Sequence, residues 1–458
     1  MVFSSTLFLF IFLPITLAMY FICDKRLKNT WLLLASLFFY SWGEPIYLLL
    51  MLASITINYI FALLISKCQE VERNIEAKVL LTITVICNLA GLVYFKYWDF
   101  IITNVNQICS TDISLKNIAL PIGISFFTFQ AMSYVVDVYR GDAKVQKNIF
   151  NLGLYISLFP QLIAGPIVRY VDIEKQLDNR KTDMLQIYDG VKLFMIGFSK
   201  KILIADQLAS LNDSIFKLNG ASAPSAWIGA IGYSLQIYFD FSGYSDMAVG
   251  IGKMFGFEFV NNFNYPYISK TIKEFWRRWH ISLSTWFRDY VYIPLGGSRC
   301  KKGRAYFNLA VVFFLTGVWH GASWNFIIWG LYYAVFLILE RLFLEKLLQK
   351  LPLLVQHTYS LLVIIIGWVF FRAEDLSSAI EYIKNMFVIN DNSIRDMISV
   401  MNGRYIFCLV MGIIFSIPWM KKLDTSRFVY DVILILVFIL AICYMVGSGF
   451  SPFLYFRF

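Results

Sequence analysis

Two polar clusters interrupt an otherwise apolar sequence of 458 residues, and each contains a histidine. His280 follows the basic and aromatic residues 276–279, whereas His320 precedes a glycine within an apolar run. These are two of only three histidines in the chain. Ionisable groups at membrane depth are costly and persist mainly where they face a polar cavity and do chemistry. Because a neutral imidazole accepts a proton from a hydroxyl nucleophile, we predict that His320 is a general base.

His320 also has a simpler interpretation, as a core histidine whose ring is hydrogen-bonded to a neighbouring carbonyl group. Three features favour the base instead. Gly321 opens space beside the backbone, the apolar run 307–339 is broken at this point, and a second polar cluster lies upstream. Non-helical backbone at membrane depth is tolerated only where protein or a water-filled cavity satisfies it, so the break is predicted to face inward.

The residues before His280 include Trp276, Arg277 and Arg278, which supply positive potential. We expect them to lower the pKa of the imidazole and to attract a polyphosphate such as coenzyme A. The alternative is an interfacial helix whose basic side chains snorkel toward water and bind no ligand. The sequence leaves both interpretations open.

A second basic stretch follows the Pro-Leu-Gly-Gly-Ser sequence at 294–298. It contains Arg299, Lys301, Lys302 and Arg304, which could bind the nucleotide end of the same ligand. A cytoplasmic loop that obeys the positive-inside rule explains these residues without any ligand.

Two carboxylates, Asp240 and Asp246, lie six residues apart in an apolar run. Carboxylates in a bilayer need partners, and Arg277 or Arg278 are candidates. The leading interpretation is a structural ion pair for each aspartate, and a wall of the active site is the second. The helix-breaking stretch 159–166 is expected to line the same cavity with its carbonyl groups and with Gln161.

The composition indicates a polytopic membrane protein. Hydrophobic residues make up 59% of the chain, against roughly 45–50% in soluble domains. Hydropathy leaves no room for a separate soluble domain, and the first apolar run is interpreted as a retained helix rather than a signal peptide. A further break is predicted at residues 43–45. Spans are predicted near 3–22, 31–50, 51–66, 79–97, 120–139, 149–168, 190–205, 226–250, 306–319, 324–343, 353–371, 405–420 and 428–447.

The formal net charge of +10 comes largely from Lys and Arg in short loops, which favours a positive-inside membrane protein over a nucleic-acid-binding one. The basic loop 24–30 predicts an extracytoplasmic N-terminus. Lys421, Lys422 and Arg427 precede the last span, so the tail 448–458 is also predicted outside. Segment 261–304 mixes basic and aromatic residues and is predicted to form amphipathic helices at the cytoplasmic face.

Several function classes lack motif support. The seven cysteines are scattered without CxxC spacing, so neither a disulfide framework nor a metal site is expected. The sequence also lacks GxSxG, Walker A, GxGxxG and HExxH elements, which removes the motif basis for hydrolase, nucleotide-phosphate and zinc-protease functions.

Residues 238–246, 276–290, 294–299 and 319–321 together resemble the membrane-bound O-acyltransferase (MBOAT) family. The similarity is to its bacterial branch of alginate and peptidoglycan O-acetyltransferase membrane subunits, and it covers nearly the entire chain. The resemblance implies one all-α domain over 1–458, with about 11–13 transmembrane or re-entrant helices around a central tunnel. It implies acyl-CoA entry from the cytoplasm, His320 as the catalytic histidine and His280 as the family's second polar residue.

Residues 453–458 resemble the C-terminal motif of the small partner peptide in teichoic-acid D-alanylation systems, whose tyrosine is proposed to receive the acyl group. The matching residue here is Tyr455. The alternative is an aromatic anchor at the membrane interface, which any terminal Tyr and Phe cluster suggests.

The resulting hypothesis is a membrane O-acetyltransferase of the bacterial cytoplasmic (inner) membrane. Acetyl-CoA would be the donor, Tyr455 a relay, and an extracytoplasmic SGNH-type acetyltransferase the partner that passes acetyl to alginate, peptidoglycan or a similar polysaccharide. One alternative is a transporter or flippase in which Asp240, Asp246 and His320 form a proton relay. Another is a lipid O-acyltransferase.

Overall fold

The computed structural model describes residues 1–162, 165–218, 220–388, 393–419 and 428–448. These residues form helices joined by turns, and no β-strand occurs among them. The prediction of an all-α membrane protein is therefore confirmed.

The helices begin with α1 (Leu13–Ile22), α2 (Lys28–Ser41), α3 (Tyr47–Glu70), α4 (Asn74–Leu92), α5 (Trp98–Cys109), α6 (Ile124–Arg140), α7 (Ile149–Ser157), α8 (Phe159–Leu162), α9 (Tyr170–Asn179), α10 (Met184–Lys200) and α11 (Asp206–Phe216). They continue with α12 (Ala223–Met254), α13 (Ile272–Arg278), α14 (Ile281–Phe287), α15 (Lys302–His320), α16 (Trp324–Leu339), α17 (Glu345–Leu348), α18 (Leu353–Arg372), α19 (Leu376–Asn385), α20 (Ser393–Val400), α21 (Gly403–Phe415) and α22 (Phe428–Ser448). Single π-helical turns occupy Phe8–Phe12, Val93–Tyr97, Lys201–Ala205, Arg288–Tyr292 and Glu340–Leu344.

Within the described ranges, five continuous helices have the length and apolar composition to cross a membrane. They are Tyr47–Glu70, Asn74–Cys109, Trp324–Leu348, Leu353–Arg372 and Phe428–Gly447. Two shorter apolar helices, Phe8–Ile22 and Gly403–Phe415, accompany them. The break predicted at 43–45 is confirmed, because α2 ends at Ser41 and α3 begins at Tyr47.

The chain divides into two compact units. The first contains Met1–Phe194 and Met247–Val260, and the second contains Met195–Asp246 and Asn261–Phe458. In the first unit, reciprocal amide hydrogen bonds of 2.9 and 3.1 Å join Asn58 on α3 to Asn88 on α4. In the same unit, Nε2 of Gln161 donates to the carbonyl of Tyr155 at 2.5 Å. Such bonds satisfy polar groups that an apolar surrounding would leave without partners.

Two consecutive lysines hold α12 in the second unit. Nζ of Lys200 lies 2.6 Å from Oδ2 of Asp246. Nζ of Lys201 lies 2.8 Å from Oδ1 of Asp240 and 2.7 Å from Oδ1 of Asp206. The expected ion pairs are therefore confirmed, but the expectation that Arg277 or Arg278 supplies the cation is wrong.

Close helix packing explains why the lysines are the partners. A Cβ atom on Gly243 of α12 would lie 2.6 Å from the carbonyl oxygen of Gly197 on α10, so the absence of a side chain lets the two backbones approach. Lys200 and Lys201 follow this contact within a few residues and so reach the carboxylates of α12. The side chains of Lys201 and Asp240 are only 1% and 3% exposed, so the pair is shielded from water.

Replacing Lys201 with Met should strongly destabilise the protein, because the buried Asp240 and the partly buried Asp206 would both lose the cation that lies between them. Removing one partner of a buried ion pair costs about 3–5 kcal/mol. The check is the melting temperature of purified protein in detergent. The matched control is Lys200→Met, which removes a more exposed pair of 28% and 23% side-chain exposure and should cost much less. Equal melting temperatures for the two variants would contradict the role of the Lys201 triad.

Candidate active site

His280 occupies a tight turn between two short helices. Its backbone φ of 44° lies in the left-handed region, which ends α13 and lets α14 start in a new direction. Asn262 holds the far side of this turn. Its carbonyl accepts from the amide of Ile281 at 3.0 Å, and its Oδ1 accepts from the amide of Ser282 at 3.1 Å. The position of the imidazole is therefore determined by a well-anchored backbone.

The imidazole of His280 is fully buried. Neither ring nitrogen makes a hydrogen bond to any residue that the structure describes. The ring instead lies edge-on to Phe241 at 4.7 Å between centroids and to Trp319 at 5.9 Å. Burying two polar atoms without hydrogen bonds to the protein is unfavourable unless a bound molecule or water supplies those hydrogen bonds. Both ring nitrogens are therefore available to a ligand.

Burial lowers the pKa of His280 to about 3. The direction agrees with the sequence-based expectation, but the cause differs, since loss of solvent contact lowers the pKa rather than the adjacent arginines. Arg277 is exposed, and Arg278 is neutralised by Glu274 at 2.8 Å. His280 is consequently a neutral imidazole at physiological pH, able to donate or accept a hydrogen bond.

His320 is the last residue of α15 and is 4% exposed. The predicted break is confirmed here, because Gly321 leaves the helical conformation and α16 starts at Trp324. Glycines bring the two helices together just before the break. A Cβ atom on Gly317 would collide with the carbonyl of Phe326, and one on Gly330 with the carbonyl of Phe313. This tight hairpin places His320 at the turn between α15 and α16, of which α16 belongs to a helix long and apolar enough to cross a membrane.

Aromatic rings enclose His320 as they do His280. The ring centroids of Trp319 and Trp329 each lie 4.9 Å from that of His320, and the ring of Phe371 lies at 5.1 Å. Trp319 contacts both histidines, so the structure brings the two predicted site residues into one cluster.

We refer to the rings around the two histidines as the aromatic cluster. Trp279 and Trp329 both pack on Trp368, with centroid distances of 4.7 and 6.0 Å. Trp276 packs on Trp329 at 5.7 Å and is 7% exposed. The members are Phe241, Trp276, Trp279, Trp319, Trp329, Tyr333, Trp368 and Phe371. Such an enclosure limits water and leaves a low-dielectric surrounding for chemistry at the imidazoles.

The basic residues of the second stretch are not part of this cluster. Arg299, Lys301, Lys302 and Arg304 are all exposed. The loop before them is anchored by Asn308, whose Nδ2 donates to the carbonyl groups of Leu295 at 3.0 Å and Gly297 at 3.3 Å. Exposed guanidinium and ammonium groups on an anchored loop can bind phosphate.

Sequence reasoning missed three residues that shape the site: Asn262, Asn308 and Glu340. Glu340 accepts hydrogen bonds from the amides of Ile272 at 2.6 Å and Lys273 at 2.9 Å, at the start of the helix that leads to His280. Glu340 could have been found from the sequence, because it is an acidic residue inside the predicted span 324–343 and therefore needs a partner there. The two asparagines carry no comparable signal, since their partners are backbone groups.

Lowering the pH should destabilise the protein through His280. The unfolded histidine binds a proton below about pH 6.5, whereas the folded one stays neutral down to about pH 3. The unfolded state then binds more protons, so stability is lost as the pH falls below 6.5, by about 2 kcal/mol at pH 5. His280→Asn removes the titrating group, and Asn tolerates the left-handed backbone. Melting temperatures at pH 7.5 and 5.0 should fall less in the variant, and an identical fall would refute this assignment.

Comparison with known proteins identifies the family. Residues 143–372 match the model of MBOAT, the membrane-bound O-acyltransferase family. This stretch contains both histidines and every member of the aromatic cluster.

Similar proteins extend the match over the whole chain. A probable alginate O-acetylase AlgI of Azotobacter vinelandii is 38% identical over 501 aligned positions that cover 100% of both chains. A peptidoglycan O-acetyltransferase of Helicobacter pylori is 38% identical and covers 86% of this chain and 81% of its own. A teichoic acid D-alanyltransferase of Bacillus subtilis is 34% identical over 54% of this chain and 65% of its own. The chain is thus an acyltransferase that belongs to the membrane-bound O-acyltransferase family.

Proposed function

We propose that this protein transfers acetyl groups from cytoplasmic acetyl-CoA to an extracytoplasmic polysaccharide. The observation that carries the proposal is the pair of buried histidines that share Trp319 inside the family-matched region. The choice of acetyl and of a polysaccharide rests on the names of the relatives, alginate O-acetylase and peptidoglycan O-acetyltransferase. An alginate-like polymer and peptidoglycan are the two acceptors that these names suggest.

In the proposed reaction, His320 accepts the proton of an attacking hydroxyl group. The hydroxyl oxygen forms a bond to the acetyl carbonyl carbon, and the carbon–sulfur bond of the thioester breaks. The imidazolium then returns the proton to the departing coenzyme A thiolate, so an ester and a free thiol result. His280 is already neutral and donates or accepts a hydrogen bond beside the reacting group. The aromatic cluster keeps water out and so suppresses hydrolysis of the thioester.

The phosphates of the donor are assigned to the exposed cations. Arg277, Arg299, Lys301 and Lys302 have the accessibility that such a role requires. Arg278 shares its charge with Glu274, which makes its part smaller. Trp276 belongs to the buried aromatic cluster, so its proposed contribution is to the apolar wall near the acyl group and not to the nucleotide.

The proposed acceptor of the acetyl group lies in the C-terminal tail 448–458. Tyr455 is proposed as the hydroxyl that receives acetyl, with an SGNH-type acetyltransferase passing it to the polymer. Tyr455, Lys421, Lys422 and Arg427 lie outside the described residues. The support is therefore the sequence alone. We further propose that the protein lies in the bacterial inner membrane with both termini extracytoplasmic, since the basic residues of the loops 24–30 and 421–427 favour the cytoplasmic side. Transfer as an ester avoids moving charged coenzyme A across the bilayer.

The proton-relay alternative loses its main support. A relay needs carboxylates that exchange protons easily, but Asp240 and Asp246 are held by Lys201 and Lys200 at 2.8 and 2.6 Å. These contacts favour a structural role for both aspartates. The relatives' names refer to acyl transfer to polymers, which also favours a polymer acceptor over a lipid.

Replacing His320 with Ala should lower acetyl transfer from acetyl-CoA by about 10²–10⁴-fold, because a general base contributes that much. The measurement is radiolabelled acetyl transfer by purified protein at matched concentration. His357→Ala is the control, since it removes the third histidine, whose Nδ1 contacts the carbonyl of Ser269 at 3.3 Å. Transfer at the wild-type rate by the His320 variant would refute its role as the base.

Replacing Tyr455 with Phe should block acetylation of the external polymer, since the change removes the hydroxyl and keeps the ring that an anchor needs. Mass spectrometry of protein incubated with acetyl-CoA should find acetyl on Tyr455, and none when His320 is Ala. Tyr444→Phe is the control for loss of a hydroxyl from the preceding helix, α22. Normal polymer acetylation by the Tyr455 variant would show that the acceptor approaches the site directly.

A further inference from the structure

The π-helical turn that follows α16 holds a buried carboxylate at Glu340, which is only 2% exposed. Its oxygens accept three hydrogen bonds. Oε1 accepts from the amide of Ile272 at 2.6 Å and from the hydroxyl of Tyr359 at 3.1 Å, and Oε2 accepts from the amide of Lys273 at 2.9 Å. Among the described residues, no lysine or arginine forms an ion pair with it.

The three hydrogen bonds explain how this charge is accommodated. The first amides of a helix have no partner within the helix, and the helix dipole favours an anion at that end. Glu340 binds the amides of the first two residues of α13. The hydroxyl of Thr271 accepts from the amide of Glu274, the third free amide, at 3.1 Å. The start of α13 is therefore tied to the π-helical turn after α16 by both oxygens of one carboxylate.

The other end of α13 leads directly to His280. The carbonyl of Arg278 accepts from the amide of Asn264 at 3.0 Å, and Asn262 holds the two residues that follow His280. The ring nitrogens of His280 make no hydrogen bond to any described residue. Its ring is consequently placed by the backbone of α13 and by the rings of Phe241 and Trp319, not by a bond of its own.

We propose that Glu340 is a positioning residue for acetyl transfer, which acts by fixing the helix that presents His280 to the aromatic cluster. This inference rests on the proposed function. It requires both carboxylate oxygens, because the two amides of α13 each need an acceptor. Glutamine has nearly the same size but offers one oxygen, and its NH₂ group would face an amide N–H. Small displacements of a reacting geometry cost much more in rate than in binding.

The test compares Glu340→Gln with Glu345→Gln. Glu345 is a matched control on the same α13 contact, because its carboxylate binds the side chain of Lys273 at 3.0 Å at the surface and not the helix amides. We expect Glu340→Gln to lower kcat by about 10–100-fold with the KM for acetyl-CoA within about twofold of wild type. Glu345→Gln should leave both constants unchanged. Hydrogen exchange measured over residues 270–282 should be faster at the amides of Ile272 and Lys273 in Glu340→Gln. In Glu345→Gln the exchange of these amides should be unchanged.

A milder variant covers the case in which Glu340→Gln does not fold. Tyr359→Phe removes one hydrogen bond to Oε1 without leaving a helix amide unpaired, and it should lower kcat several-fold with KM unchanged. A wild-type kcat in Glu340→Gln, or in Tyr359→Phe if only that variant folds, would overturn the inference and leave the proposed function standing. A rise in KM at constant kcat would also overturn it. Absence of acetyl transfer by the wild-type protein would overturn the proposed function, and this inference with it.

Discussion

Charged and polar side chains inside an apolar helical protein must be compensated by the protein itself, and this constraint organises the structure. Lys201 neutralises two aspartates, and Glu340 takes its partners from the start of a helix. Because each arrangement spans separate helices, it holds them in place as well as compensating the charge. His280 differs from these groups because the described part of the protein does not compensate its polar atoms. Its nitrogens are buried without a hydrogen bond to any described residue, so a bound ligand or water would supply the missing partners.

Aromatic packing then defines what such a ligand meets. Trp319 lies against both histidines, and tryptophan and phenylalanine rings form most of the remaining surroundings. Rings of this kind exclude water without adding charge, so in the proposed reaction a bound thioester would be protected from hydrolysis. Glycine contacts between α15 and α16 also help to position His320. Gly317 and Gly330 let the two helices pack closely, and α15 ends at His320.

The sequence predicted the parts of this arrangement that depend on local pattern. Of the predicted spans, 51–66, 79–97, 324–343, 353–371 and 428–447 coincide with the five described helices that are long and apolar enough to cross a membrane. The Gly-containing breaks after Ser41 and His320 were also located correctly. The need of Asp240 and Asp246 for cations was also predictable, since it follows from burial alone. Which cations bind them was not, because Lys200 and Lys201 lie about 40 positions earlier in the chain and no local pattern encodes that pairing. Glu340 contacts a residue 68 positions earlier, and no local pattern encodes that pairing.

The location of the acetyl group in a complex with a non-hydrolysable acetyl-CoA analogue tests the central claim most directly. Electron cryomicroscopy of the protein with this analogue should place the acetyl carbonyl inside the aromatic cluster, within about 3–3.5 Å of the space that an attacking oxygen bound to His320 would occupy. The phosphates should lie against the exposed cations Arg277, Arg299, Lys301 and Lys302. An acetyl group bound away from both histidines, with the aromatic cluster unchanged and closed, would contradict the account.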